Sequence, residues 1–113
     1  MKFLIVEDNA EMRRLIVKIV ARKHDVIFEC ADGAEALPAY RSFLPDWVVM
    51  DLQMPVLDGI CATGEIIRNF PDAKIVIVTD YGSAELRRRA AAAGASCYIV
   101  KENLIELRRL LAH

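Results

Sequence analysis

Five polar positions stand where apolar runs stop. Glu7 and Asp8 follow "KFLIV", Asp51 follows "DWVVM", Thr79 follows "KIVIV" and Lys101 follows "SCYIV". Three carboxylates, a hydroxyl and an ammonium make a coherent chemical set if the fold brings them to one place. Clustered carboxylates repel one another and raise each other's pKa, so they call for a cation. Oxygen ligands without His or Cys favour a hard ion. A few carboxylates that leave room for water and a phosphate suit Mg²⁺ better than Ca²⁺. Each residue also has a purely structural role open to it. Glu7 and Asp8 precede a helix, where acids cap amides and complement the dipole; Asp51 and Thr79 suit turns, and Lys101 suits a solvated surface. Five such coincidences at corresponding positions favour the chemical reading.

To converge, these residues need a particular frame. The five runs start at Lys2, Asp25, Asp46, Lys74 and Ser96. Their interiors are β-branched or aromatic and nearly continuous, as parallel strands covered on both faces require. Between them lie helical stretches. Met12, Leu15, Ile16, Ile19 and Val20 repeat at helical spacing, with Arg13, Arg14, Lys18 and Arg22 elsewhere on the wheel. Asp32 with Glu35, and Asn103 with Glu106, carry the capping-box spacing that opens a helix. Ser83 suits the N-cap of a fourth helix and Gly94 its stop, and Leu104, Leu107 and Leu111 form the apolar stripe of the last. Pro38 and Gly64 are weak points inside the second and third helices. Alternating β and α units without repeat or linker give a doubly wound α/β sheet, which gathers functional groups beyond the carboxyl ends of its strands.

Composition narrows the function. A chain of 113 residues, 55% hydrophobic and 27% charged, is long enough for one core and too apolar for a disordered tail. Fifteen basic and sixteen acidic residues offer no electrostatic footprint for nucleic acid or an anionic membrane. The adjacent Arg87, Arg88 and Arg89 point in different directions on a helix, which suits a solvated face or a partner contact. The opening "MKFLIVEDN" is too short an apolar stretch for a signal peptide, and no run approaches a bilayer span. Cys30, Cys61 and Cys97 are widely spaced and read as reduced, mostly buried thiols in a cytoplasmic protein. His24 and His113 form no metal or phosphohistidine pair, and Trp47 is expected to pack at the start of the third strand.

Taken together and in order, "LIVEDN", "VVMDLQMPVLDG", "IVIVTD" and "GASCYIVK" resemble the receiver domain of two-component response regulators over essentially the whole chain. The resemblance implies a flavodoxin-like, doubly wound five-stranded parallel sheet in the order 2-1-3-4-5 with five helices. It implies Asp51 as phosphoacceptor, Asp8 as a direct Mg²⁺ ligand, Glu7 as an acid holding the metal through water, and the Gln53 backbone carbonyl as a third protein ligand. Lys101 and Thr79 would engage the phosphoryl oxygens, and Thr79 with Tyr98 would form a switch altering the surface of the fourth helix, fifth strand and fifth helix. Gln53 and Tyr81 occupy positions that tune acyl-phosphate lifetime, and both are bulky. The implied partner is a sensor histidine kinase or phosphotransfer protein, with a phosphorylation-linked homodimer in view. Such a phosphoprotein catalyses only its own phosphorylation and dephosphorylation and is otherwise no enzyme. Residues 1–113 are then one receiver domain, either stand-alone or cut from a longer regulator with a C-terminal DNA-binding output domain.

Two positions depart from the family pattern. Glu102 stands where a proline usually follows the lysine, so a trans peptide or an unusual loop is expected there. Asp80 stands where a small residue usually follows the threonine, and its charge is expected to slow the approach of phosphate. Both keep open a second reading, a phosphorylation-independent interaction module with the same fold. A phosphatase would want an acid where Gln53 stands, and a flavin binder would want a phosphate-cradling loop where Glu7 and Asp8 stand; both are disfavoured.

Overall fold

The computed structural model describes residues 1–111, and His113 lies outside the described residues. Five parallel strands, β1 (Lys2–Val6), β2 (Val26–Cys30), β3 (Trp47–Asp51), β4 (Ile75–Thr79) and β5 (Cys97–Val100), form one sheet in the order β2-β1-β3-β4-β5. Five helices connect and follow them: α1 (Ala10–Val20), α2 (Ala36–Phe43), α3 (Gly59–Asn69), α4 (Ala84–Ala93) and α5 (Glu106–Leu110). The architecture is the doubly wound one expected from the alternating pattern, in the flavodoxin-like strand order that the family resemblance implies. The strands begin one residue later than the apolar runs for β2 to β5, so Asp51 and Thr79 are terminal strand residues and Lys101 follows β5 directly.

Alternation along each strand sends side chains to two cores. Leu4, Val6, Val48, Met50, Ile75 and Ile77 pack with α2, α3 and α4, whereas Phe3, Ile5, Val49, Val76 and Val78 pack with α1 and α5. All five residues of β4 are buried, as a central strand covered on both faces requires. On the edge strand β2 only Cys30 is buried, and Val26 and Phe28 are exposed, so this run is less covered than its apolarity suggests.

Caps explain most of the helix ends. Asn9 accepts from the Met12 amide, Asp58 from Cys61 and Ser83 from Leu86, while Gly94 closes α4 at φ +107°. Asp32 caps a 3-10 turn, Gly33–Glu35, by accepting from the Ala34 and Glu35 amides, and α2 begins only after it. Pro38 therefore falls in the first turn of α2, where amides lack intrahelical partners and a proline costs little. Gly64 does sit inside α3, as expected.

Three expectations are corrected. Asn103 and Glu106 form no capping box: Asn103 ends a 3-10 turn, Lys101–Asn103, and α5 starts without a side-chain cap. Leu15 is 44% exposed; Ile16 and Val20 take the core face of α1, with Val17 packed partly against it. Cys61 is exposed on α3, so the thiols are free but not uniformly buried. Leu104, Leu107 and Leu111 are buried as a stripe, and Trp47 opens β3 with the Lys74 ammonium 5.1 Å from its ring centre. Among the described residues no helix is long and apolar enough to cross a membrane.

Candidate functional site

Because all strands run in parallel, their carboxyl ends share one edge of the sheet, and the polar residues that follow the apolar runs meet there. They line an open cleft of about 600 Å³ with Glu7, Asp8, Asp51 and Lys101 among its walls and Thr79, Asp80, Tyr81 and Gln53 around them. Asp51 is 4% exposed and Glu7 and Thr79 1% each, whereas Asp8 reaches solvent.

Lys101 closes the polar set from β5. Its Nζ lies 3.0 Å from Glu7 Oε1 and 3.1 Å from Asp51 Oδ1, so one ammonium serves carboxylates from two other strands. The Lys101–Glu102 peptide is trans, the first of the two outcomes expected there, and the 3-10 turn it opens delivers the side chain into the cleft. Burial works against this ammonium, but its ion pairs with Glu7 and Asp51 outweigh that and hold its pKa above the ordinary lysine value. Asp51 responds in the opposite sense. Burial first, and the neighbouring Glu7 charge second, push its carboxyl up to about 7 against the pull of Lys101.

Glu7 is fixed from several sides. Its Oε2 accepts from the Asn9 amide at 3.1 Å, and its carbonyl accepts from Arg13 Nη1 at 2.8 Å. Oε1 contacts Lys101 at 3.0 Å but receives no well-aligned hydrogen bond, which leaves it able to take a further electrostatic partner. Oxygens from Glu7, Asp8 and Asp51 all lie within 4.8 Å of one another. An incompletely satisfied buried carboxylate oxygen in an all-oxygen cluster fits a hard divalent cation.

The floor depends on Gly59, the residue that closes the "VVMDLQMPVLDG" motif. A Cβ at this position would lie 2.0 Å from the Asp51 carbonyl oxygen, and the Gly59 amide donates to Leu52 at 2.8 Å. Only glycine lets α3 begin this close to the end of β3. In the intervening loop Val56 is 84% exposed and holds φ +69°, a left-handed conformation that β-branched residues rarely adopt.

Tyr98 does not line the cleft; it stands behind it. Its hydroxyl donates to the Tyr81 carbonyl at 2.6 Å, and the Tyr81 amide donates to Thr79 Oγ1 at 3.3 Å. Burial raises the Tyr98 phenol, partly offset by Arg87. Glu102 is exposed and outside the cleft wall. Residues not anticipated as part of the site are Asn9, Glu11, Met12 and Leu15, which present one side of α1 to the cleft. The exposure of Leu15 is explained by this position. Its signal in the sequence was hidden, because a leucine at core spacing reads as core.

With this geometry the family relationships are plain. The chain belongs to the response regulator receiver domain family, whose sequence pattern it matches over residues 3–112. Phosphoryl acceptance is the general function of that family. Chemotaxis protein CheY of Halobacterium salinarum is 39% identical over 98 residues, covering 87% of this chain and 82% of the relative. The Bacillus subtilis transcriptional regulatory protein YhcZ is 37% identical over 116 residues, covering 97% of this chain, which spans only 54% of YhcZ. A LuxR-family two-component response regulator from Aurantimonas sp. SI85-9A1 superposes with a TM-score of 0.87 at 32% identity, covering 98% of this chain and 84% of that one. The response regulator domain of Thermotoga maritima CheB gives 0.88 at 25% identity, covering 98% and 92%.

Proposed function

We propose that the chain is a phosphoryl-accepting switch whose acceptor is Asp51. The observation that carries this reading is the buried Asp51 carboxylate held 3.1 Å from Lys101 at the floor of an open acidic cleft. Ionised Asp51 attacks the phosphorus of a phosphohistidine on a sensor kinase or phosphotransfer protein, or of a small acyl phosphate, in line with the leaving group. An O–P bond forms as the donor's N–P or O–P bond breaks, and the departing atom keeps the electron pair. Lys101 meets the charge on the equatorial oxygens and the Thr79 hydroxyl donates to one of them, so the protein contributes positioning and electrostatics. Asp8, Asp51 and the Gln53 carbonyl would hold Mg²⁺, with Glu7 acting through water. When bound, the ion neutralises charge on the transferred group.

Gln53 and Tyr81 sit at the rim, where their bulk limits the approach of water to the acyl phosphate. Asp80 adds a carboxylate to the same rim and opposes an incoming phosphate. The well-formed contacts of Lys101, despite Glu102, support this reading over a phosphorylation-independent interaction module. In the switch step Thr79 turns toward the phosphoryl group and vacates space that the inward-turned Tyr98 ring fills, which alters the α4, β5 and α5 surface. Residues 1–113 act as one receiver domain in the cytoplasm, where a histidine kinase presents its phosphoryl group. The 54% coverage of YhcZ, a transcriptional regulatory protein, supports a receiver joined to an output domain, and the 82% coverage of CheY supports a stand-alone one.

Intact-protein mass after incubation with acetyl phosphate tests the reading. A single phosphoryl gain that requires both Mg²⁺ and Asp51, and disappears in Asp51→Asn, is expected. No gain in the wild type would overturn it.

A further inference from the structure

Of the three adjacent arginines on α4, Arg87 is engaged with the switch region: its guanidinium carbon lies 4.6 Å from the centre of the Tyr98 ring. The far end of the same ring donates its hydroxyl to Tyr81, and Tyr81 donates its amide to Thr79. Contacts therefore run unbroken from the exposed surface of α4 to a buried hydroxyl in the cleft. The helix packs against α3 and β5 but buries few of its own side chains. Its sequence, AELRRRAAAA, contributes Ala90 as a fully buried residue and Leu86 as a partly buried one. With so few buried side chains on α4, a single cation over an aromatic face weighs heavily there.

We propose that Arg87 is a positioning residue for the switch: by covering the Tyr98 ring it holds the phenol on the Tyr81 carbonyl and biases the α4–β5 face toward this docked arrangement before any phosphoryl group arrives. The consequence for phosphorylation rests on the phosphoryl-switch reading; the docking itself does not. A planar guanidinium stacks on the ring, whereas a lysine offers a point charge, so the two side chains should not be equivalent here. If the docked ring and the phosphorylated pocket favour one another, the coupling is reciprocal, and loss of Arg87 weakens both.

The test uses the full chain with fluorine-labelled tyrosine, whose three residues, Tyr40, Tyr81 and Tyr98, are assigned by Tyr→Phe substitution. Wild type, Arg87→Gln and Arg87→Lys are compared first without metal or donor. Arg87→Gln should shift the Tyr98 resonance toward its solvent-exposed position, reflecting a two- to fivefold fall, roughly, in the docked-to-free ratio. Tyr40 should not move, and Arg87→Lys should recover part of the shift. Identical Tyr98 resonances in wild type and Arg87→Gln would overturn the proposal. The rate of phosphoryl gain from acetyl phosphate with Mg²⁺ is then measured. It should fall in Arg87→Gln by up to the same factor, with Arg87→Lys between. Equal rates in all three proteins would overturn the switch role of Arg87 alone. No phosphoryl gain even in the wild type would instead overturn the reading on which that role rests.

Discussion

Replacing Asp51 by asparagine keeps the shape of the side chain and removes its charge, and the protein should become more stable. In the cleft the Asp51 carboxyl is pushed up from 3.8 to about 7, by burial and then by Glu7. Between those two values the folded protein holds a proton that the unfolded chain has released. Wild-type stability therefore falls as pH rises through this window and stays low above it. A displacement of about three pH units, at ~1.36 kcal/mol each, amounts to about 4 kcal/mol. Asparagine avoids this cost, and Lys101 retains Glu7 at 3.0 Å. The expected gain for Asp51→Asn is about 2–4 kcal/mol near pH ~8 in EDTA, shrinking to about 1 kcal/mol near pH ~4.5. Urea unfolding followed by emission from Trp47, the single tryptophan, measures it. Saturating Mg²⁺ should narrow the difference, because it stabilises the wild type by mass action. A variant less stable than wild type near pH ~8, or a gain that stays level across this pH range, would refute the reasoning.

The other predictions concern neighbours of Asp51. Lys101→Met leaves two buried carboxylates without their shared ammonium and should cost about 2 kcal/mol in EDTA, discounted for the open cleft; the double variant with Asp51→Asn should recover most of the loss in urea titrations. Gly59→Ala forces a methyl against the Asp51 carbonyl and should destabilise by about 2–3 kcal/mol. Gly64→Ala meets only the end of Arg68 at 3.6 Å and should stabilise by about 1 kcal/mol. Thermal midpoints that move in the same direction for both glycines would contradict this account. Val56→Asn relieves a β-branched residue from the left-handed region and loses no packing. A gain of about 0.5–1 kcal/mol is expected by urea denaturation, and a lower midpoint would show that the loop is not strained there.

The strands were legible because a buried parallel strand needs a continuous apolar run, and the strand direction fixes at which edge of the sheet the next residues emerge. This placed Glu7, Asp8, Asp51, Thr79 and Lys101 along one edge before any contact was known. Helix starts were less legible. Asn103 and Glu106 have capping-box spacing, yet Asn103 ends the 3-10 turn after β5 and Glu106 begins α5 without a side-chain cap. Asn9 and Asp58 cap their helices without the acid three residues on that would have advertised them. Leu15 carried the spacing of a core residue, but the wheel cannot tell a core from a cleft wall. The double contact of Lys101 and the seating of Tyr98 on Tyr81 are tertiary facts. They depend on the register of β1, β3, β4 and β5 and leave no local trace.

The ammonium of Lys101 gives the cleft a resident counter-ion drawn from its own chain. Any cation that enters meets carboxylates already partly neutralised, so binding becomes an exchange, and the gain is only what the newcomer offers beyond an ammonium. A monovalent ion offers little more than Lys101 provides. A divalent ion would bring a second charge to the same oxygens. The cleft thereby sorts ions by valence before coordination geometry discriminates among them.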